Sequence, residues 1–293
     1  MDFVKPAEVL QSMVEAGENK ARMNRIQMLI RGFLAGAILA FATTLAYTAV
    51  SQTSVGLAGA LIFPAGFVII ILLGLELVTG NFAMIPLALL KRRVTWMSMM
   101  RNYCWVIVGH LLGCLFYAAL YGLTLTKMGT DLSSPLIQTL IQTSEAKTLG
   151  YQHLGAAGIG LVVIKAILCN WMVTLGAVMA MTSMSTIGKI VAMWLPITIF
   201  FAQGFEHAVV NMFVIPAGMM LGANVSIADW WLWNQIPVLI GNLIGGAIFT
   251  GLGLYAAHTW GTSSHSPSKL ATIQGRRSGL TSTDSAPKVG TRS

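Results

Sequence analysis

Charged side chains are scarce in this sequence, and their scarcity excludes an ordinary soluble domain. Only 10% of the 293 residues are charged, whereas 55% are hydrophobic, and the mean hydropathy is +0.73. Apolar runs of about 20 residues recur along the chain, which is the length that crosses a bilayer core of roughly 30 Å. The sequence therefore predicts an all-α membrane protein that crosses the lipid bilayer several times.

Cysteine is also rare, and familiar catalytic motifs are missing. The three cysteines, Cys104, Cys114 and Cys169, lie far apart within apolar runs. An odd, scattered set predicts neither a disulfide framework nor a metal site, so all three are expected to be small buried residues. The sequence contains no His-Glu-x-x-His, no glycine-rich phosphate loop and no nucleophile elbow, and neither an enzyme nor a cofactor is predicted.

The basic residues follow a pattern that sets membrane orientation. Most of the 18 lysines and arginines precede the first apolar run, follow the second, or lie in the C-terminal tail. By the positive-inside rule, this bias predicts a protein of the cell (plasma or inner) membrane with both termini in the cytoplasm. The net charge of +8 is attributed to this orientation, and no nucleic-acid partner is predicted.

Six apolar segments are predicted to be transmembrane helices within a transport domain at residues 28–260. Residues 1–27 are predicted to form a cytoplasmic amphipathic helix, because their apolar positions recur at helical spacing. A polar loop is expected at 125–150, and residues 261–293, rich in serine and threonine, are predicted to be a disordered cytoplasmic tail. The six segments are residues 28–50, 57–90, 102–124, 155–182, 189–222 and 235–258.

One stretch of the sequence occurs twice, at residues 74–88 and 204–218. The two copies share Gly, Glu, Asn, Ile and Pro at the same offsets, and each places polar groups and a helix-breaking proline inside an apolar segment. The second and fifth segments are therefore predicted to be broken helices. Because each half of the chain has three spans, an odd number, the halves are expected to form an inverted 3+3 repeat, an architecture typical of transporters.

Two polar residues lie in the predicted breaks. His207 can hold or release a proton near neutral pH, so it is a candidate donor to a small anion. The alternative is a buried histidine that a neighbour such as Glu206 satisfies. Thr79 lies in the other break, where its hydroxyl can serve an anion or a freed backbone carbonyl equally well.

The residues that match across the repeat are expected to have structural roles. A carboxylate would repel an anion, so Glu76 and Glu206 are predicted to brace the breaks through backbone N–H groups or to orient His207. Asn81 and Asn211 are predicted to hydrogen-bond to the interrupted backbone.

For three further sets of residues, the sequence leaves more than one role open. Asn170 interrupts the fourth apolar segment, where its amide either faces a pore or cross-links helices. Lys165 either supplies positive potential, or pairs at a subunit contact or extends its ammonium to the membrane surface. Phe63, Phe67 and Phe200 either constrict a pore or simply pack.

Three motifs, in this order, resemble those of the formate/nitrite transporter family. They are Leu-Glu-Leu-Val-Thr-Gly-Asn at residues 75–81, Cys-Asn-Trp-Met-Val at 169–173 and Gly-Phe-Glu-His-Ala-Val-Val-Asn-Met at 204–212. The resemblance covers roughly residues 10–260. It implies an aquaporin-like protomer, a homopentamer that conducts through each protomer, and permeation of small monovalent anions such as formate or nitrite.

The resemblance also implies roles for individual residues. Thr79 and His207 would be the central pair that contacts the anion, with Asn170 beside them, and Glu206 and Asn211 would belong to a network around the histidine. Lys147 would add positive potential at the entrance. The apolar constrictions would be lined by Phe63, Phe67, Leu77, Val173 and Phe200.

The expected function is a channel or proton-coupled transporter for formate or nitrite. A charge at the bilayer centre costs at least about 2.5–3.5 kcal/mol, and a proton lent by His207 would let the neutral acid cross. The alternative is an aquaporin-like channel for neutral solutes, although the sequence has no paired Asn-Pro-Ala boxes.

Overall fold

The computed structural model describes residues 2–259, and these residues are almost entirely helical. In this range the β pairing consists of one isolated bridge between Phe3 and Ser183. The tail expected at residues 261–293 lies outside the described residues. In chain order the helices are α1 (Pro6–Arg22), α2 (Arg25–Thr53), α3 (Gly56–Ile62), α4 (Pro64–Leu72), α5 (Val78–Leu90), α6 (Trp96–Leu125), α7 (Pro135–Lys147), α8 (Leu149–Gln152), α9 (Ala156–Met179), α10 (Thr186–Ala202), α11 (Ala208–Met220), α12 (Ile227–Trp230), α13 (Ile236–Ile244) and α14 (Gly253–Thr259).

Four helices of the described part are long and apolar enough to cross a membrane. They are α2, α6, α9 with the turn that follows it, and the continuous run Ile227–Thr259, in which two π-helical segments join α12, α13 and α14. Local sequence sets their starts: the Asn24 side chain caps α2, and Thr95 and Ser98 form a capping box at α6. These four helices overlap the first, third, fourth and sixth predicted spans.

The second and fifth predicted spans are each divided into shorter helices. Helix α4 ends at Leu72 and α5 begins at Val78, whereas α10 ends at Ala202 and α11 begins at Ala208. The glycine that opens each copy of the repeat has a left-handed backbone, with φ of 63° at Gly74 and 62° at Gly204, which glycine adopts without steric cost. The glycine that the two copies share therefore produces the same break in both.

The prolines of the repeat lie in a different place from that predicted. Pro86 and Pro216 are inside α5 and α11, so they do not form the breaks. Thr79 was also expected within a break, but it lies in the first turn of α5. The prediction was wrong on both points because the left-handed glycine ends the preceding helix several residues before either proline is reached.

Small residues let the long helices pack closely. A Cβ atom added to Gly36 of α2 would lie 2.6 Å from the backbone oxygen of His110 in α6, and one added to Gly245 would lie 2.4 Å from that of Ile167 in α9. Such contacts between backbones are typical of membrane helices. They bring α6 and α13 against α2 and α9, which positions side chains used in the site below.

The prediction of a polar loop at residues 125–150 was wrong, because half of this segment is helical. Helix α7 begins at Pro135, which suits the first turn of a helix, and it buries Ile137, Leu140 and Ser144. The Ser144 hydroxyl donates to the carbonyl of Ile215 in α11. These positions repeat at helical spacing, but the polar residues between them obscure the pattern.

Helix α1 packs its predicted apolar face against the rest of the chain. Leu10, Met13, Gly17 and Ala21 are buried. The cysteines follow expectation only in part: Cys114 and Cys169 are buried, whereas Cys104 is exposed.

Candidate functional site

The two breaks bring one polar side chain from each copy of the repeat into contact. His207 immediately precedes α11, Thr79 lies in the first turn of α5, and the histidine Nε2 is 3.1 Å from the threonine Oγ1. The two residues are 128 positions apart in sequence, and both are almost completely buried. The pair singled out from the sequence is therefore a single polar unit within an apolar interior.

The hydrogen bonds around His207 define which nitrogen carries the proton. Its Nδ1 accepts a bond from the backbone N–H of Val210 at 3.2 Å, so in the neutral ring Nε2 carries the hydrogen. Nε2 then donates to the Thr79 oxygen. The threonine hydroxyl is left to donate its own hydrogen to another acceptor.

Helices α5 and α11, which follow the two breaks, are the two half-helices. A side chain from a neighbouring helix caps each of them. The N–H of Val78 donates to His110 Nε2 at 3.1 Å, and the N–H of Ala208 donates to Asn242 Oδ1 at 2.9 Å. His110 and Asn242 occupy matching Gly-His and Gly-Asn dipeptides of α6 and α13. That match is visible in the sequence, but the capping role of the two residues is not.

The N-termini of α5 and α11 make the surroundings of the pair electropositive. Each helix has 13 residues, and a helix N-terminus carries a partial positive charge and unsatisfied N–H groups. Among the described residues, no partner accepts from the backbone N–H of Thr79 or Val209, which match across the repeat. Such an arrangement favours a bound anion.

Asn170 cross-links helices beside the pair. Its Nδ2 donates to the backbone oxygens of Thr79, at 3.0 Å, and Asn242, at 2.6 Å. The sequence left open whether this amide faces a pore or cross-links helices, and in the structure its Nδ2 cross-links helices. Its Oδ1 is buried and has no hydrogen-bond partner among the described residues.

Aromatic rings cover one side of the histidine. The centroids of Phe200 and His207 are 5.7 Å apart, Phe63 meets Phe200 edge to face at 5.7 Å, and Phe201 stacks on Phe63 at 4.0 Å. Sequence reasoning missed Phe201. The five residues predicted to line constrictions all lie in one buried cluster: Phe63, Phe67, Leu77, Val173 and Phe200.

The Glu206 carboxylate makes no hydrogen bond to the His207 ring among the described residues, so the two roles considered for it, bracing the break and orienting the histidine, stay predictions. The carboxylate instead accepts from Lys147 Nζ at 2.8 Å, from the Tyr151 hydroxyl at 2.7 Å and from Asn211 Nδ2 at 2.7 Å. A buried carboxylate is stable only with such partners. Nor does Asn211 bond to the His207 ring, which is bonded to Thr79 and Val210.

The carboxylate of each copy belongs to a polar network of four residues. In the second polar network, defined as Lys147, Glu206, Asn211 and Asn234, Asn211 donates to Asn234, whose own amide donates to the backbone oxygen of Lys147. The first polar network repeats every one of these contacts with Lys20, Glu76, Asn81 and Asn102.

These networks correct the role predicted for the matched asparagines. Asn81 and Asn211 bind side chains instead of the interrupted backbone. Sequence reasoning missed Lys20, Asn102 and Asn234, because each is contributed by an element outside the repeated stretch.

A cavity adjoins each break. The His207 cavity, of about 550 Å³, is lined by residues that include His207, Phe200, Lys147 and Lys165. The Lys20 cavity, of about 310 Å³, is lined by residues that include Lys20, Gly74 and Lys189. Within residues 2–259, no three His, Cys, Asp or Glu side chains come together as a metal site.

The fold and this buried centre define a class of protein: a helical protein with several membrane-spanning segments and two half-helices that begin at a shared polar pair. The model of the family described as "Formate/nitrite transporter" matches residues 7–256. The chain belongs to the formate/nitrite transporter family, which confirms the resemblance carried by the three motifs.

Individual relatives cover most of the chain. A formate channel from Bacillus thuringiensis is 31% identical over 88% of this chain and 97% of its own length. An uncharacterised transporter from Bacillus subtilis is 34% identical over 88% and 95%, and a probable formate transporter from Methanothermobacter thermautotrophicus is 33% identical over 84% and 94%.

Solved structures share the fold. An FNT family ion channel superposes with a TM-score of 0.71 at 24% identity, covering 86% of this chain and 99% of its own. A pentameric formate channel with formate bound gives a TM-score of 0.64 at 22% identity, covering 80% and 97%.

Proposed function

We propose that this protein conducts small monovalent anions across the cell membrane, with formate as the first substrate to test and nitrite as the second. The observation that carries the proposal is the buried Thr79–His207 pair at the start of two half-helices. The similar proteins from Bacillus thuringiensis and Methanothermobacter thermautotrophicus, described as a formate channel and a probable formate transporter, favour formate over nitrite.

We also propose the architecture expected from the sequence: six spans in an inverted 3+3 repeat, an aquaporin-like protomer and a homopentamer. The nearly equal φ angles at Gly74 and Gly204 support the repeat, as do the equivalent caps from His110 and Asn242. The likeness to a pentameric channel supports the assembly. Residues 1–27 and 261–293 would flank the transport domain at 28–260, with both termini in the cytoplasm.

At the Thr79–His207 pair, hydrogen-bond donors of the protein replace the water molecules that an anion loses on entering. Phe63 and Phe200 exclude water from one side of the pair, which makes an unpaired charge costly. The Thr79 hydroxyl and the free N–H groups of Thr79 and Val209 offset that cost, because hydrogen bonds to an ion are stronger than neutral ones. Asn170 keeps the Thr79 backbone in place.

The hydrogen bonds of His207 favour anion binding over proton transfer. To become a cation, the ring must take a proton on Nδ1, which already accepts from Val210. If the neutral ring gave up its Nε2 proton, it would become an imidazolate, a far stronger base than formate. The ring therefore acts as a neutral donor that orients Thr79, and proton-coupled transport is the second mechanism to test.

Flux through reconstituted protein tests the function. In liposomes, His207→Asn is expected to lower formate flux at least about tenfold, because the shorter side chain can still cap α11 but no longer reaches Thr79. His153→Asn, which changes an exposed histidine, is the matched control. Wild-type flux in His207→Asn would refute the role of the pair, and flux of water or glycerol without formate would favour the neutral-solute alternative.

An imposed membrane potential distinguishes the two mechanisms, conduction of the anion and proton-coupled transport. A formate anion that crosses as a charge carries current, so imposed membrane potential changes its flux, whereas formate accompanied by one proton is insensitive to potential and acidifies the lumen. We expect the first result for the wild-type protein. Potential-independent uptake with equal proton entry, lost in His207→Asn, would establish proton coupling instead.

A further inference from the structure

The His207 cavity contains two lysines in different electrostatic situations. Lys147 is 2.8 Å from the Glu206 carboxylate, and both side chains are largely buried. Their opposite charges cancel over distances longer than the pair itself. Lys165 lines the same cavity but pairs with no carboxylate among the described residues, so the positive charge it adds is not cancelled.

Lys165 is held close to the site by its surroundings. Its backbone oxygen accepts from the N–H of Glu206 at 3.4 Å, which fixes it beside the second break. Its Nζ lies 5.9 Å from the centroid of the Tyr151 ring, within the range of a cation–π contact. The side chain is only half-buried, so the ammonium can reach a solute in the cavity.

The internal repeat supplies a counterpart for Lys165. Gly32 and Ala166 have equivalent positions, since their backbone oxygens bond to the capping side chains His110 and Asn242. Each is preceded by a basic residue: Arg31 in α2 and Lys165 in α9.

Arg31 also contacts the first break, although through its side chain, whereas Lys165 contacts the second through its backbone oxygen. Its Nη1 donates to the backbone oxygen of Gly74 at 3.2 Å, and Gly74 lines the Lys20 cavity. Like Lys165, Arg31 pairs with no carboxylate in the described part of the chain. Each copy therefore combines a lysine neutralised by its glutamate with further positive charge beside the break: Lys165 in the second copy, and Arg31 and Lys189 in the first.

We propose that Lys165 is the residue that captures the anion in the His207 cavity, before the anion reaches Thr79 and His207. This inference rests on the proposed function. A lysine ammonium is a compact charge with three rotatable donors on a flexible stem, which suits a small solute with one negative charge and oxygen acceptors, such as a short monocarboxylate. The Lys147–Glu206 pair then maintains the structure of the break.

Concentration-dependent uptake tests the inference. In liposomes, Lys165→Gln is expected to raise the half-saturating formate concentration roughly tenfold with a smaller change in maximal flux, because it removes attraction but leaves the central pair intact. Lys165→Arg should remain close to wild type. Lys165→Met, which keeps the apolar stem, should behave like Lys165→Gln and replaces it if the glutamine variant does not reconstitute.

A matched control removes a different lysine charge. Lys127 is exposed in the segment after α6 and pairs with Asp131 at 2.6 Å, so Lys127→Gln should leave uptake unchanged. In the wild-type protein, an impermeant salt should raise the half-saturating concentration by screening, and this dependence should be weaker in Lys165→Gln.

The outcomes separate the inference from the function on which it rests. Lys165→Gln with a wild-type half-saturating concentration and salt response would overturn anion capture while the flux itself upholds the channel. A wild-type response combined with a changed oligomeric size would assign Lys165 to a subunit contact, which also overturns the inference. Absence of formate flux in the wild-type protein would instead refute the proposed function.

Discussion

A buried carboxylate adjoins each break, and one lysine neutralises it. The exposed fractions of the Glu76 and Glu206 side chains are both 2%. Desolvation makes an isolated carboxylate costly in such a place, and the lysine and amide donors of the polar networks offset that cost. The glutamates therefore stabilise the breaks without offering negative charge to the pore, which reconciles them with an anion as substrate.

Breaking the second pair should destabilise the protein strongly. Lys147→Met leaves Glu206 without its cation, and loss of one partner of a buried pair costs about 3–5 kcal/mol. Glu206→Gln should also destabilise, but the double variant should lose less than the sum, because neither charge is then left unpaired. Thermal unfolding in detergent measures the loss of stability in both single variants and in the double variant.

The control for this cycle is an exposed pair. Lys127→Gln removes the partner of Asp131 at the surface, where an ion pair contributes little, and the unfolding temperature should not change. Additive losses in the Lys147 and Glu206 variants would contradict a coupled pair.

Each break contains a glycine whose backbone conformation disfavours every residue that has a Cβ atom. Gly74 and Gly204 adopt positive φ, yet an added Cβ would meet nothing within 4 Å at either position. Backbone conformation alone therefore requires glycine there. The three residues that follow each glycine are not helical, and α5 and α11 begin directly after them, which carries the helix N-termini to the central pair.

Substitution at the second of these glycines should damage the break directly. Gly204→Ala should lower stability by about 1–2 kcal/mol, the cost of a left-handed backbone with a Cβ, and reduce formate flux. Gly204→Asn should recover part of both, because asparagine tolerates this conformation. Gly56→Ala, also in open space but within α3, is the control, and an equal loss there would contradict the argument.

Elements with a strong apolar period could be predicted from the sequence, whereas those set by a single backbone angle or by distant partners could not. The long helices and α1 follow from the apolar pattern, whereas the Thr79–His207 pair follows from the resemblance to the family's motifs. Helix α7 was missed because its buried face is narrow. The partners of Glu206 were missed because Lys147 and Tyr151 reach it only once α7 has packed against α11 and α8 against α9.

At the scale of the whole molecule, the two polar networks add a further helix to each half of the proposed inverted repeat. Lys20 comes from α1 and Lys147 from α7, and each makes the same contacts in its own copy. Helices α1 and α7 are therefore counterparts, although one precedes the first span and the other lies between two spans. In an inverted repeat they belong on opposite membrane surfaces.

Thiol labelling tests this placement. Gln142→Cys lies in the His207 cavity and Ala16→Cys in the Lys20 cavity, each in a background with Cys104→Ser because Cys104 is exposed. In right-side-out vesicles, a membrane-impermeant reagent should label the first variant and spare the second; in inverted vesicles the pattern should reverse. Labelling of both cysteines from the same side would rule out the inverted arrangement, since two cavities on one surface cannot be related by a twofold axis in the membrane plane.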